Sequence, residues 1–179
     1  MSAKNILITG PPGIGKTTLA KRLAERLRDD SGGFYTLEVR SAGQRTGFRI
    51  VTLDGEQGTL ASTSVGSGPK VGRYTVNLDD LERIAIPSIH KAVHAGRTVI
   101  IDEVGRMELF SALFKEVVVQ ALESPVPVIA TIRENADPFC DALKSRDDVE
   151  LLHLSRENRE TMADLVVSKL RAYLDAGGQ

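Results

Sequence analysis

Asn5-Ile6-Leu7-Ile8-Thr9-Gly10-Pro11-Pro12-Gly13-Ile14-Gly15-Lys16-Thr17-Thr18 joins an apolar run, a glycine-rich loop and the start of a helical pattern. Gly10 through Thr17 satisfies G-x-x-x-x-G-K-[ST] in full. A strand is expected at Asn5–Thr9. A helix is expected from Lys16, because Leu19, Ala20, Leu23, Ala24 and Leu27 recur at the spacing of one helix face. The glycines let successive backbone N–H groups curl toward an anion where a Cβ would obstruct them. The first helical turn adds unsatisfied N–H groups and the positive end of the helix dipole. In this setting Lys16 supplies a point charge to the β- and γ-phosphates, and the Thr17 hydroxyl is a ligand for Mg²⁺.

Short apolar runs alternate with longer helical patterns outward from this loop, which predicts an α/β fold. Thr98–Ile101, Val126–Ile132 and Leu151–Leu154 read as further core strands, nearly continuous in apolar character as parallel strands are. Helices are expected over 79–95, 107–123 and 158–176, the second with Leu109, Phe110, Leu113, Phe114, Val117, Val118, Ala121 and Leu122 on one core-facing stripe. Pro87 must start, end or kink the first of these. Gly32-Gly33 is expected to end the first helix. From Phe34 to Val76 the helical period disappears. Strand-like pieces at Tyr35–Arg40, Gly47–Leu53 and Gly58–Ser62, with an Asp54-Gly55 turn, predict a β-meander inserted after that helix. No repeat or linker interrupts the chain, so a single domain over 1–179 is expected.

Val99-Ile100-Ile101-Asp102-Glu103 is an apolar strand that ends in two carboxylates. An aspartate at such a strand end holds the hydrated metal in phosphate-loop proteins, and Asp102 suits that role. Glu103, one residue further, is placed to orient or deprotonate a water for in-line attack on the γ-phosphate. Asp102-Glu103-Val104-Gly105 also fits the D-x-x-G pattern of GTPases, but no N-K-x-D sequence follows to select guanine. The pair fits better with phosphate-loop ATPases that carry an extra strand between the loop strand and the acidic strand.

The chain has 179 residues, a net charge of −1, 41% hydrophobic and 26% charged residues, which places it among folded globular proteins. Balanced charge gives no general electrostatic reason to bind nucleic acid. No apolar run approaches the ~20 residues that span a bilayer, and Ile6-Leu7-Ile8 is too short for a signal-peptide core. The one cysteine, Cys140, excludes an internal disulfide and a cysteine-cluster zinc site. A cytoplasmic location is expected. Oligomeric state leaves no trace in the sequence, and a monomer is the working expectation.

Longer stretches resemble a known family, the small thermostable nucleoside-triphosphatases, whose vertebrate members are called cancer-related nucleoside-triphosphatase. The pieces are Gly10–Thr18, Gly33-Phe34-Tyr35-Thr36-Leu37-Glu38-Val39-Arg40, Gly43–Phe48, Val71-Gly72-Arg73-Tyr74-Thr75-Val76 and Ile101–Leu109, with Asn158-Arg159 near the last helix. The resemblance implies a RecA-like, mainly parallel sheet flanked by helices. It also implies Mg²⁺-dependent hydrolysis of ATP, GTP and other nucleoside 5′-triphosphates to diphosphate and phosphate, with broad base preference. Carried over by residue, Gly10, Pro11, Pro12, Gly13, Ile14, Gly15, Lys16, Thr17 and Thr18 would bind nucleotide, Thr17 and Asp102 the metal, and Glu103 the attacking water. Arg40 and Arg45 lie where a guanidinium would stabilise charge on the γ-phosphate, or else pair locally with Glu38. Asn158 and Arg159 would contact the base or simply cap a helix, and Arg133 is a candidate γ-phosphate sensor.

Two other functions use the same loop. A kinase would pass the γ-phosphoryl group to a nucleotide, a polynucleotide 5′ end or a small metabolite. It needs an acceptor site and a lid, yet the segment after the first helix reads as strands and no Arg-rich lid precedes the last strand. A nucleotide-dependent switch would turn over slowly without a partner. His90 and His94 share a helix face but have no third ligand nearby, and Cys140 has no activating histidine next to it. Neither carries a reaction here.

Overall fold

The computed structural model describes residues 3–64 and 66–177. Its strands are β1 (Asn5–Thr9), β2 (Ser31–Ser41), β3 (Gln44–Thr52), β4 (Gln57–Ser62), β5 (Lys70–Val71), β6 (Tyr74–Val76), β7 (Thr98–Val104), β8 (Val128–Ile132) and β9 (Val149–His153). All nine form one sheet in the order β5-β6-β4-β3-β2-β7-β8-β1-β9. The half from β2 to β9 is parallel, and β3 to β6 extend it antiparallel. The expected meander follows the first helix and is continuous with the main sheet, because β2 pairs with β7 from Ser31↔Thr98 to Phe34↔Ile101. β8 lies between the loop strand β1 and the acidic strand β7, the extra-strand arrangement that the acidic pair favours.

The helices are α1 (Lys16–Leu27), α2 (Leu78–Asp80), α3 (Ile86–His94), α4 (Ala112–Glu123), α5 (Pro138–Lys144) and α6 (Met162–Asp175). Alternation along β1 sends Ile6 and Ile8 to one face and Leu7 to the other. Ile6 and Ile8 pack with Leu19 and Leu23 of α1 and Val166 and Leu170 of α6. Leu7 joins Phe34, Ile89 of α3, and Phe114 and Val117 of α4. The result is a sheet covered on both faces. Phe34 and Phe114 meet edge to face, with ring centres 6.2 Å apart.

Several boundaries differ from the sequence reading. Gly32-Gly33 does not end α1, which stops at Leu27 before a short 3₁₀ turn. Both glycines lie in β2, where Gly33 has φ +107° and a Cβ would fall 2.1 Å from the Ile100 carbonyl oxygen. Close strand approach, not helix capping, requires glycine there. Pro87 is the second residue of α3, and the preceding Leu81–Ala85 turn has wider π spacing. The expected 79–95 helix is broken near the residue that cannot donate an N–H. A 3₁₀ turn at Glu108–Phe110 precedes α4, and Ser111 caps α4 by accepting from Phe114 N at 3.0 Å. Phe110 and Leu113 therefore leave the core stripe and are each 45% exposed. The periodic pattern did not reveal α5. Its signal was Asp137-Pro138: Asp137 accepts from Phe139 N at 3.0 Å and Cys140 N at 3.1 Å, and proline suits the first turn.

Candidate active site

Parallel pairing brings the carboxyl ends of β1 and β7 to the same edge of the sheet, so the loop after Thr9 and Glu103 line one cleft, with Asp102 buried next to them. Gly13 and Gly15 have φ +79° and +113°, and a Cβ on either would meet no protein atom within 4 Å. The backbone conformation demands glycine at both, and the space beyond them is open to a ligand. Gly10 is different: a Cβ there would fall 2.7 Å from the Leu154 carbonyl oxygen. Lys16 Nζ lies 2.8 Å from Gly10 O and 3.8 Å from Glu103 Oε2, with its side chain only 9% exposed. The cleft, about 550 Å³, is lined by Gly10, Pro12, Gly13, Gly15, Lys16, Thr17, Thr18, Thr36, Glu38, Arg45, Phe48, Glu103, Arg133, Glu134 and Asn135. A larger hollow of about 870 Å³ lies toward the other end of α1, between Arg28 and Arg97. Its cations are mixed with Glu25, Asp29 and Asp54, and nothing there converges on a reaction. Chemistry, not volume, marks the smaller cleft.

Asp102 is fully buried. β7 runs between β2 and β8, and a threonine from each side reaches the carboxylate. Thr131 Oγ1 donates to Oδ1 at 2.7 Å, while Thr36 N and Oγ1 donate to Oδ2, each at 3.3 Å. Burial pushes the Asp102 carboxyl up, and hydrogen bonds from Thr131, Thr36 and Thr17 pull it back. Thr17 and Asp102 thus place a hydroxyl and a carboxylate side by side, the hard oxygen donors that Mg²⁺ takes alongside substrate phosphates. Among the described residues no group of three or more His, Cys, Asp or Glu side chains forms an all-protein cage. The donor set therefore fits a cation shared with phosphate.

Glu103 is a third exposed, at 32% of its side chain. Burial pushes its carboxyl up, while Lys16 opposes the shift. Its side chain folds over Gly105, where a Cβ would lie 2.5 Å from Glu103 Oε1. Behind it Glu108 is wholly enclosed, and burial followed by repulsion from Glu103 holds its carboxyl well above the usual range.

Not every candidate meets at the cleft. Arg45 does: Nη1 donates to Glu38 Oε1 at 2.9 Å and Nε to the Tyr74 hydroxyl at 3.0 Å. Arg40 does not line it. Its guanidinium sits on Glu38 Oε2 at 2.8 Å and reaches the Gly43 carbonyl, the local pairing that the sequence left as an alternative. Arg133 lines the cleft, 3.8 Å from Asp137. Asn158 commits its amide to its own loop, accepting from Ser155 N and donating to His153 O, both at 2.8 Å. Pro11, Pro12, Gly13 and Ile14 form a second groove on the outer side of the loop with Arg159 and Arg156, the latter unforeseen. Thr36 and Thr131 were unforeseen as well, because each reaches Asp102 from a strand that becomes its neighbour only in the fold.

A glycine-rich loop ahead of a helix, a buried carboxylate within reach of its threonine and a half-buried glutamate lining the same cleft are the marks of a phosphate-loop nucleotide hydrolase. Residues 5–167 match the family described as NTPase. The chain is 48% identical over 166 residues to "Nucleoside-triphosphatase THEP1" of Thermotoga sp. (strain RQ2), covering 93% of this chain and 95% of that protein. It is 38% identical to "Cancer-related nucleoside-triphosphatase homolog" of Mus musculus, over 95% of this chain and 98% of that one. The crystal structure of THEP1 from the hyperthermophile Aquifex aeolicus superposes with a TM-score of 0.86 at 39% identity, covering 93% of this chain and 98% of that one. The solution structure of a human cancer-related nucleoside triphosphatase gives 0.81 at 35% identity, over 95% and 98%. The chain belongs to the NTPase family and is a nucleoside-triphosphatase. Among the described residues no helix is long and apolar enough to cross a membrane.

Proposed function

We propose that the chain hydrolyses nucleoside 5′-triphosphates to diphosphate and phosphate with Mg²⁺, with little base preference, as a monomeric single-domain cytoplasmic enzyme. The observation that carries this reading is Glu103 Oε2 at 3.8 Å from Lys16 Nζ, one residue beyond the buried Asp102. The backbone N–H groups of Gly13–Thr18 hold the phosphates, with Lys16 swinging from the Gly10 carbonyl to the β- and γ-oxygens. The Thr17 hydroxyl and the Asp102 carboxylate would hold Mg²⁺, which would supply charge neutralisation at the phosphates. Glu103 orients a water and takes its proton as the water oxygen bonds to the γ-phosphorus. The β–γ bridging oxygen leaves with the bonding pair, on the diphosphate. Arg45 faces the transferring group and offsets the charge that develops on it.

The outer groove supports base tolerance. Arg156 and Arg159 offer guanidinium planes beside Pro11 and Pro12, and stacking does not distinguish bases as edge hydrogen bonds do. Phosphate release from ATP, GTP, CTP and UTP, with Mg²⁺ and with excess chelator, tests the reading. Release from all four at rates within about tenfold, abolished by the chelator, is expected. Diphosphate formed only when a 5′-hydroxyl acceptor is added, with the label on that acceptor and no free phosphate, would make the chain a kinase.

A further inference from the structure

The antiparallel extension of the sheet brings Arg45 to the cleft wall beside Phe48 and surrounds its guanidinium. Ser62 at the end of β4 faces Gly47 on β3 and Thr75 on β6, so Tyr74 and Arg45 both stand just past β4. Tyr74 is 7% exposed and meets Phe48 edge to face at 5.3 Å. The Arg45 guanidinium lies 5.1 Å from the Phe48 ring centre and 5.7 Å from that of Tyr74. Its Nε donates to the Tyr74 hydroxyl at 3.0 Å, and Glu38 holds Nη1 at 2.9 Å. The same hydroxyl accepts from Arg73 Nε and Nη2 at 3.3 Å and faces Arg45 O at 3.4 Å. An arginine has several rotatable bonds to immobilise before it can stabilise a transition state, and this clamp immobilises them beforehand. We propose that Tyr74 is a positioning residue for Arg45, its hydroxyl fixing the guanidinium at the cleft so that turnover, rather than nucleotide binding, depends on it.

This inference rests on the reading of Arg45 as the group that neutralises the γ-phosphate. Hydrogen bonds to a charged partner are the strong ones, and Phe at position 74 would keep the ring and its Phe48 contact while removing the anchor. Tyr74→Phe, Arg45→Ala and the double variant, made in the full chain, separate the possibilities when kcat and KM for ATP are measured. Tyr74→Phe should lower kcat about tenfold with KM nearly unchanged, and Arg45→Ala should lower it by roughly 10³. The double variant should match Arg45→Ala alone, because Tyr74 acts only through Arg45. The Arg45 Nε–H resonance should be protected from exchange in the parent and lose that protection in Tyr74→Phe. Wild-type kcat in Tyr74→Phe beside a damaged Arg45→Ala overturns the inference and leaves the Arg45 reading standing, and so does a double variant showing the full product of both losses. Undiminished kcat in Arg45→Ala removes that reading, and the inference with it.

Discussion

The two walls of the cleft are built differently. The wall from β1 and β7 is buried: Asp102 is fully enclosed and Lys16 is 9% exposed. Hydrophobic packing of Ile6, Ile8, Val99 and Ile101 on the two sheet faces fixes where these groups stand. The wall from β2 and β3 is open, with the Arg45 and Glu38 side chains 43% and 42% exposed. A few hydrogen bonds and two aromatic rings hold it in place. A buried wall offers its side chains little room to readjust, so a lost charge there is lost outright. The open wall is reached by solvent ions, so its contribution should be salt-sensitive.

That contrast orders the expected effects. Lys16→Ala removes the buried cation and should lower turnover by about 10³-fold or more in a steady-state phosphate assay. Retained turnover would mean that the loop is not the phosphate cradle. Gly105→Ala comes next. Gly105 has no positive φ, and the atoms its Cβ would meet belong to the flexible Glu103 side chain, at 2.5–3.0 Å. The fold can admit the methyl group by swinging Glu103 out, so thermal stability should barely change while kcat falls about 100-fold. A variant with normal kcat would show that Glu103 need not sit over Gly105. Cys140 probes the buried half with the smallest effect. Its thiol is fully enclosed, and burial pushes it up to about 12. The thiol form persists below that value, so at pH 8 an alkylating reagent should leave the folded protein unmodified and label it promptly in urea.

The phosphate loop and the acidic pair were legible because each is a local arrangement: glycines, a lysine and a hydroxyl within one turn, or two carboxylates at one strand end. The threonine shell of Asp102 was not, since it depends on β2 and β8 becoming the neighbours of β7, which no spacing in the chain encodes. Arg40 and Arg45 could not be told apart for a similar reason. A register shift between Val39 and Arg40 precedes the Arg40↔Arg45 pairing, and bulges re-aim side chains without a mark in the alternation. Asn158 looked free to meet a base, yet the loop after β9 uses both ends of its amide. The long helical period over 79–95 hid the π turn, because a wider turn shifts the phase without removing the apolar residues.

Glu103→Gln keeps the size and the hydrogen-bonding reach of the side chain and removes its ability to take a proton. Measuring nucleotide affinity and single-turnover hydrolysis on this one variant tests the water-activating role directly. ATP should bind within about threefold of the parent affinity, while hydrolysis falls by roughly 10²–10⁴. Hydrolysis at the parent rate, or affinity and rate falling together, would contradict the account.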